Sequence, residues 1–246
     1  IPVLIIQGSI GLSSSFLEPV LSPELISELT AVGGLLIIGI GISILEIKKI
    51  KVIFLIIFVS LCIVFFTLQG FIMTSTSNTE KYQYEVVKEY DDFEVRKYQA
   101  ALFSSVDLSG DSYESNSGTG FRILAGYIFG GNQTGEKIAM TSPVAMQLND
   151  SNRKMSFMVP SNYDKKRLPT PNNESIYFEE KKECMMAAIR FGGWANDKKI
   201  EAHVTQLKKY LEKEGLAHKN NFSYFGYNPP YEVVNRRNEV VVELTE

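Results

Sequence analysis

Val52 to Leu68 reads VIFLIIFVSLCIVFFTL, 17 residues without a charge or a proline. Nothing else in the chain restricts its fold as strongly. With its flank to Met73 the run reaches the roughly 20 residues needed to cross a hydrocarbon layer of about 30 Å as a helix. In lipid a helix satisfies its own backbone, which an isolated strand of this composition does not. A second apolar segment, residues 29 to 47, contains LTAVGGLLIIGIGISIL and is glycine-rich, as membrane helices tolerate. Residues 1 to 73 are therefore predicted to be a membrane region with helices at about 29–47 and 52–72. Lys48, Lys49 and Lys51 lie between the two helices. Basic loops stay in the cytoplasm, so the rest of the chain is predicted to be extracytoplasmic, on the periplasmic side, behind a signal anchor. A cleaved signal peptide is the alternative, although IMTSTSNTE is a weak match to a cleavage site. A start at Ile1 in place of Met is what a fragment or a processed product is expected to show.

Residues 74 to 83, TSTSNTEKYQ, are polar and aperiodic and are predicted to be a linker. The remainder, 84 to 246, holds most of the ionisable groups. The formal net charge of −3 and a pI near 5.6 point away from nucleic acid, whose partners carry a clustered basic face. Of the two cysteines, Cys62 lies inside the apolar run and Cys184 in the polar part, so neither a disulfide framework nor a cysteine-based zinc site is expected.

From Tyr84 the pattern alternates with period two: YEVVKEY, FEVRKY and ALFSSVDL are predicted strands. In TGFRILAGYIFGGN, Phe121, Leu124, Ala125 and Ile128 recur at helical spacing up to Gly130 and Gly131, which predicts an amphipathic helix. VAMQL and KMSFMVP follow as strands. After a loop rich in Pro and Asn, residues 161 to 173, the order repeats. SIYFEEK and CMMAAIRFGG are strands, Asn196 caps the helix KKIEAHVTQLKKYLEKEG, and FSYFGYNPP and EVVVEL are the last strands. Strand-strand-helix-strand-strand thus occurs twice, which predicts two similar α+β halves packed as one unit.

The motifs of hydrolytic, phosphoryl-transfer and hydride-transfer chemistry are absent: there is no Gly-x-Ser-x-Gly, HExxH, GxGxxG or Walker pattern. His203 falls between Ile200 and Leu207 on the inner edge of the second helix, which suits a structural histidine, with axial ligation of an iron as the alternative. His218 follows the helix-ending Gly215 and reads as a surface residue. Ile123 and Tyr127, spaced i and i+4, sit off the Phe121 stripe. The first helix then covers a core on one side and offers a flat apolar surface on the other.

FRILAGYIFGGN, GEKIAMTSPVAM, FGGWAND before a helix, GYNPP and RRNEVVVEL occur in this order, and the stretch from Tyr84 to Leu244 resembles the SOUL/heme-binding protein family. The resemblance implies an α+β fold, a twofold-repeated distorted antiparallel β-barrel flanked by two helices, here preceded by transmembrane helices. It implies non-covalent binding of heme or another tetrapyrrole without catalysis. The ring is expected in a shallow apolar cleft formed by Phe121, Leu124, Ala125, Tyr127 and Ile128, with Tyr227 and Tyr231 opposite and Met140 a further neighbour by sequence. GEKIAMTSPVAM is then the helix-to-strand connection that shapes the sheet beside that cleft. Two positions depart from the pattern: Gly126 and Glu232 stand where heme-binding relatives carry lysines, leaving Arg122, Arg236 or Arg237 to pair with a propionate. The same doubled scaffold resembles effector-binding domains of transcription regulators, so a module for another apolar small molecule is the second reading. Residues 1 to 51 resemble the C-terminal end of an uncharacterised multi-spanning bacterial membrane family.

Overall fold

A computed structural model describes residues 48–77, 79–149 and 153–245. The predicted span at 29–47 lies outside the described residues. Two compact units are distinguished, Ile1–Gly70 and Phe71–Glu246.

Helix α1 (Lys48–Ser77), most of which belongs to the first unit, carries the apolar run. Its segment Ile50–Ile72 has a mean hydropathy of 2.8 and, by length and composition, is long and apolar enough to cross a membrane. The hydroxyls of Ser60 and Thr67 donate to the carbonyls of Ile56 and Ile63, each at 2.8 Å, so the polar side chains of the run are satisfied within the helix itself. The helix continues to Ser77, into the stretch predicted to be a linker. That stretch also contains the two-residue strand β1 (Glu80–Lys81), which pairs in parallel with β5 (Thr141–Ser142). Ser/Thr-rich composition predicted a loop because these side chains compete for backbone groups, but here they lie at the end of an established helix.

The second unit is an α+β domain built on a curled antiparallel sheet. After β2 (Tyr84–Glu89), β3 (Glu94–Tyr98) and β4 (Ala101–Asp107) come helix α2 (Tyr113–Ile128), β6 (Val144–Gln147) and β7 (Lys154–Met158). The second pass comprises β8 (Ile176–Lys181), β9 (Cys184–Phe191), helix α3 (Asp197–Lys213), β10 (Ser223–Gly226) and β11 (Asn238–Glu243). The strands lie in the order β2-β3-β9-β11-β10-β6-β7-β4-β8. From β3 onward this order is symmetric about the β10–β6 junction, where Tyr224 faces Met146 and Phe225 faces Ala145. The halves are also interlocked. β3 of the first half pairs with β9 of the second, and β8 of the second pairs with β4 of the first.

Alternation along each strand divides the interior into two layers. Ile189, Tyr224, Val240 and Val242 face α2 and α3 and form one core with Leu124, Ile200, Leu207 and Leu211. Their neighbours Ala188, Phe225 and Val241 face the other way and pack with Tyr82, Tyr98, Phe103 and Met186. Helix α2 begins earlier than the apolar periodicity suggested because Ser112 and Ser115 form a reciprocal capping box. The carboxylate of Asp197, the first residue of α3, accepts from the backbone N–H groups of Tyr113 and Glu114 at 2.5 and 3.1 Å, tying the starts of the two helices together.

Candidate functional site

The end of α2 is fixed by its GGN signature. Gly130, at φ 108°, turns the chain out of the helix, a conformation that favours glycine. Gly131 follows so tightly that a Cβ there would lie 2.6 Å from the Gly126 carbonyl oxygen, while its own N–H donates to that oxygen at 2.8 Å. Asn132, which is buried, donates from Nδ2 to the carbonyls of Tyr127 and Glu136, and its Oδ1 accepts from the Glu136 N–H. The turn then captures the Pro- and Asn-rich loop. Gln133 N–H donates to Thr170 O at 3.0 Å, Asn172 N–H donates to Gly131 O at 3.1 Å, and the Tyr127 hydroxyl donates to Pro169 O at 3.0 Å.

This clamp leaves an open cleft of about 710 Å³ between α2 and the loop that leads into β8. Arg122, Ile123, Gly126 and Tyr127 form the helical wall, at the i, i+1, i+4 and i+5 positions of one helix face. Gly131, Asn172, Asn173, Glu174 and Ile176 form the other wall. A Cβ at Gly126 would meet nothing within 4 Å, so the missing side chain is part of the open space. Burial pushes the Tyr127 phenol up to about 12, with the charge of Glu136 adding to the effect, so it stays protonated as a donor.

The predicted site residues are spread over three environments. Tyr127 lines the cleft, as does Ile123, which sequence periodicity had set apart from the core stripe. Leu124, Ala125 and Ile128 lie in the core between α2 and the sheet, and Tyr127, almost fully buried with its ring beside Phe178, belongs to the same core while it reaches the cleft, so of the α2 apolar residues Ile123 is the one that is only partly buried there. Phe121 is half-exposed with its ring against Phe157, centroids 5.4 Å apart, and Met140 packs at the edge of the same core. Tyr227 belongs to the layer on the other face of the sheet, and Tyr231 is exposed in the Pro-Pro loop, so the structure does not bring these two tyrosines opposite the α2 cleft. A one-dimensional pattern marks α2 as apolar on more than one side. Only the packing shows that the sheet takes the Leu124 side.

His203 stacks on Phe191, with centroids 4.2 Å apart and planes 18° apart, and its Nδ1 bonds to the Lys199 carbonyl at 2.7 Å. It is half-buried on α3 and is not part of the cleft wall. Among the described residues no group of three or more His, Cys, Asp or Glu side chains is placed to hold a metal ion. Of the three arginines considered as propionate partners, Arg122 lies on the cleft. Arg236 donates to the carbonyls of Pro229 and Glu232 and lies 4.2 Å over the Trp194 ring. Arg237 is committed to Glu239, and Glu232 itself is buried.

Sequence reading missed the ionic centre inside RRNEVVVEL. The Glu239 carboxylate is fully buried and accepts from Arg96 Nη1 and Nη2 at 2.8 and 3.1 Å, from Arg237 Nε and Nη2 at 2.9 and 2.7 Å, and from the Tyr227 hydroxyl at 2.8 Å. Burial works against its charge, but the hydrogen bonds and charge of Arg96, reinforced by Arg237, win and hold the carboxyl below its ordinary value. Arg96 and Glu239 are 143 residues apart in sequence, so no local signal joins them.

A doubled α+β half-barrel with two helices on one face defines a known scaffold. The EcmrR C-terminal domain shares it at a TM-score of 0.50 and 11% identity, over 66% of this chain and 98% of that one. The chain belongs to the SOUL heme-binding protein family, matching it over residues 79–243, as its ordered motifs implied. It is 30% identical to Heme-binding protein 1 of Xenopus laevis over 60% of this chain and 81% of that protein. Heme-binding protein 2 of Homo sapiens is 28% identical over 60% of this chain and 76% of that protein. Residues 1–75 match a family described as a protein of unknown function, DUF554. A stretch of 45 residues is 51% identical to the uncharacterized membrane protein YdfK of Bacillus subtilis (strain 168), covering 18% of this chain and 20% of that protein.

Proposed function

We propose that this chain is a membrane-anchored heme-binding protein that holds a tetrapyrrole non-covalently along the outer face of α2, without catalysing its conversion. The cleft is the observation that carries the reading. Its volume of about 710 Å³ lies in the usual range of small-molecule sites, and its apolar helical wall of Ile123 and Tyr127 is interrupted by an open position at Gly126. The ring would lie flat on that wall. Arg122 would meet a propionate in a charge-assisted hydrogen bond, supplying the cation that Gly126 does not. The lining offers iron neither imidazole nor thiolate, and the Tyr127 hydroxyl is engaged by Pro169, so affinity would come from ring contact and the propionate. Helix α1 would anchor the chain, with Lys48, Lys49 and Lys51 on the cytoplasmic side and the α+β domain on the other.

Heme titration of the full chain in neutral detergent tests the cleft. A saturable Soret band is expected for the native protein, and Gly126→Trp, which fills the open position, is expected to weaken binding at least tenfold with the melting temperature preserved. Unchanged heme affinity in a folded Gly126→Trp protein would overturn the assignment. Protease added to intact spheroplasts is expected to digest the α+β domain; full protection would reverse the orientation.

A further inference from the structure

The face of the sheet turned away from the helices carries a second cavity, of about 350 Å³, lined from β8, β9, β10 and β11 with Gln147 of β6 and Lys154 of β7. Its floor is apolar, made by Met186, Phe225 and Val241 of the second core layer. Its rim is basic: Lys154, Lys181, Lys182 and Lys219 face it against the two carboxylates Glu183 and Glu243. This local excess of positive charge contrasts with a chain whose formal net charge is −3.

The lysines are not equivalent. Lys154 is held by Glu179 at 2.6 Å and Lys219 by Glu243. Lys181 forms no ion pair among the described residues, and its ammonium lies 4.8 Å over the Phe103 ring, half-buried at the cavity edge. Burial, then the neighbouring Lys154, pull its pKa below the ordinary lysine value and outweigh the opposing pull of Glu179 and Glu243. On the same lining, Asn221 Oδ1 is buried with no hydrogen-bond partner among the described residues. A buried acceptor left unpaired is costly, and a donor on a bound molecule would remove that cost.

From this juxtaposition of an apolar floor, a half-buried ammonium outside any direct ion pair and an orphan acceptor, we infer that the cavity is a second binding site, separate from the α2 cleft, for a small organic carboxylate with an apolar body and one N–H or O–H donor. The carboxylate pairs with Lys181, the body rests on Met186, Phe225 and Val241, and the donor meets Asn221. Lys182, the other rim lysine outside the Lys154 and Lys219 ion pairs, adds to the preference for an anion over a cation of the same shape.

Calorimetric titration of the full chain in neutral detergent, corrected against detergent alone, tests this with two probes that share a ring and differ in charge. Indole-3-acetate is expected to bind saturably, and tryptamine at least tenfold more weakly. Lys181→Gln is expected to weaken indole-3-acetate at least tenfold, and Lys181→Arg to retain it within about threefold. Ser223→Trp, which fills the cavity and leaves every lysine in place, is expected to abolish binding. Absence of saturable indole-3-acetate binding, equal binding of tryptamine, or native affinity in folded Lys181→Gln or Ser223→Trp would overturn the inference. Soret titrations run alongside are expected to be unchanged in all three variants. A native protein that binds indole-3-acetate but not heme sinks the cleft reading alone.

Discussion

Replacing Arg96 by methionine tests the ionic centre that joins the first half of the domain to the last strand. The Arg96 side chain is 3% exposed, that of Glu239 is 0% exposed, and the two meet through a pair of hydrogen bonds at 2.8 and 3.1 Å. Removing one member of such a pair costs about 3–5 kcal/mol, because the other charge stays buried without compensation. Glu239 keeps Arg237 and Tyr227, which places the loss near the lower end, about 3 kcal/mol. For a domain of this size about 1 kcal/mol moves the midpoint by roughly 2–4 °C, so the melt of Arg96→Met should fall by roughly 6–12 °C. Arg237 has a side chain 25% exposed, water can replace part of what it loses, and Arg237→Met should cost clearly less. The centre also sets an acid limit. With its folded value below the unfolded value of about 4.3, Glu239 contributes full stability above about pH 5 and loses it as the pH falls through the folded value. Arg96→Met weakens the shift and should flatten that acid dependence. Thermal circular dichroism at pH 7 and pH 3.5 reads all of this. A drop below about 2 °C at pH 7, or a larger drop for Arg237→Met than for Arg96→Met, would refute the reasoning.

Three further outcomes follow from the helix and its surroundings. Gly131→Ala places a methyl 2.6 Å from the Gly126 carbonyl oxygen, an atom that moves only with the helix backbone, and should cost about 1–3 kcal/mol in chemical denaturation while weakening heme binding through the shifted loop wall. Gly126→Lys meets nothing within 4 Å and should leave the melt unchanged while raising heme affinity severalfold, since it adds a cation beside Arg122 at the cleft. His203→Ala removes the ring stacked on Phe191 and should lower stability by about 1 kcal/mol with heme affinity retained; complete loss of heme binding in a folded variant would make His203 the axial ligand.

Local pattern accounts for the elements themselves. Alternation places β2 to β4, period 3.6 places α2 and α3, and Asn196 and Gly215 mark the ends of α3 because capping and left-handed termination depend on residues within one turn. The doubling is legible for the same reason, since each half repeats its own pattern, and so is the family, carried by motifs in order along the chain. The exchange of β3 and β8 between halves was decided only in three dimensions, because strand pairing joins residues far apart and period two says nothing about which strand lies alongside. Tertiary packing also separated Leu124, Ala125, Tyr127 and Ile128, buried in one core, from Ile123, which is only partly buried at the cleft. All are apolar and helical in spacing, and what distinguishes them is the element that covers each: the sheet for the core residues, with the loop held by Gly131 and Asn132 also closing over the Tyr127 hydroxyl, while Ile123 is left at the cleft. The Glu239 centre and the lysine-rimmed cavity belong to the same class. Each joins residues from strands well separated in sequence, Arg96 with Glu239 in one and Lys154 with Lys181 and Val241 in the other, and such groups become a site only when the fold removes the water between them.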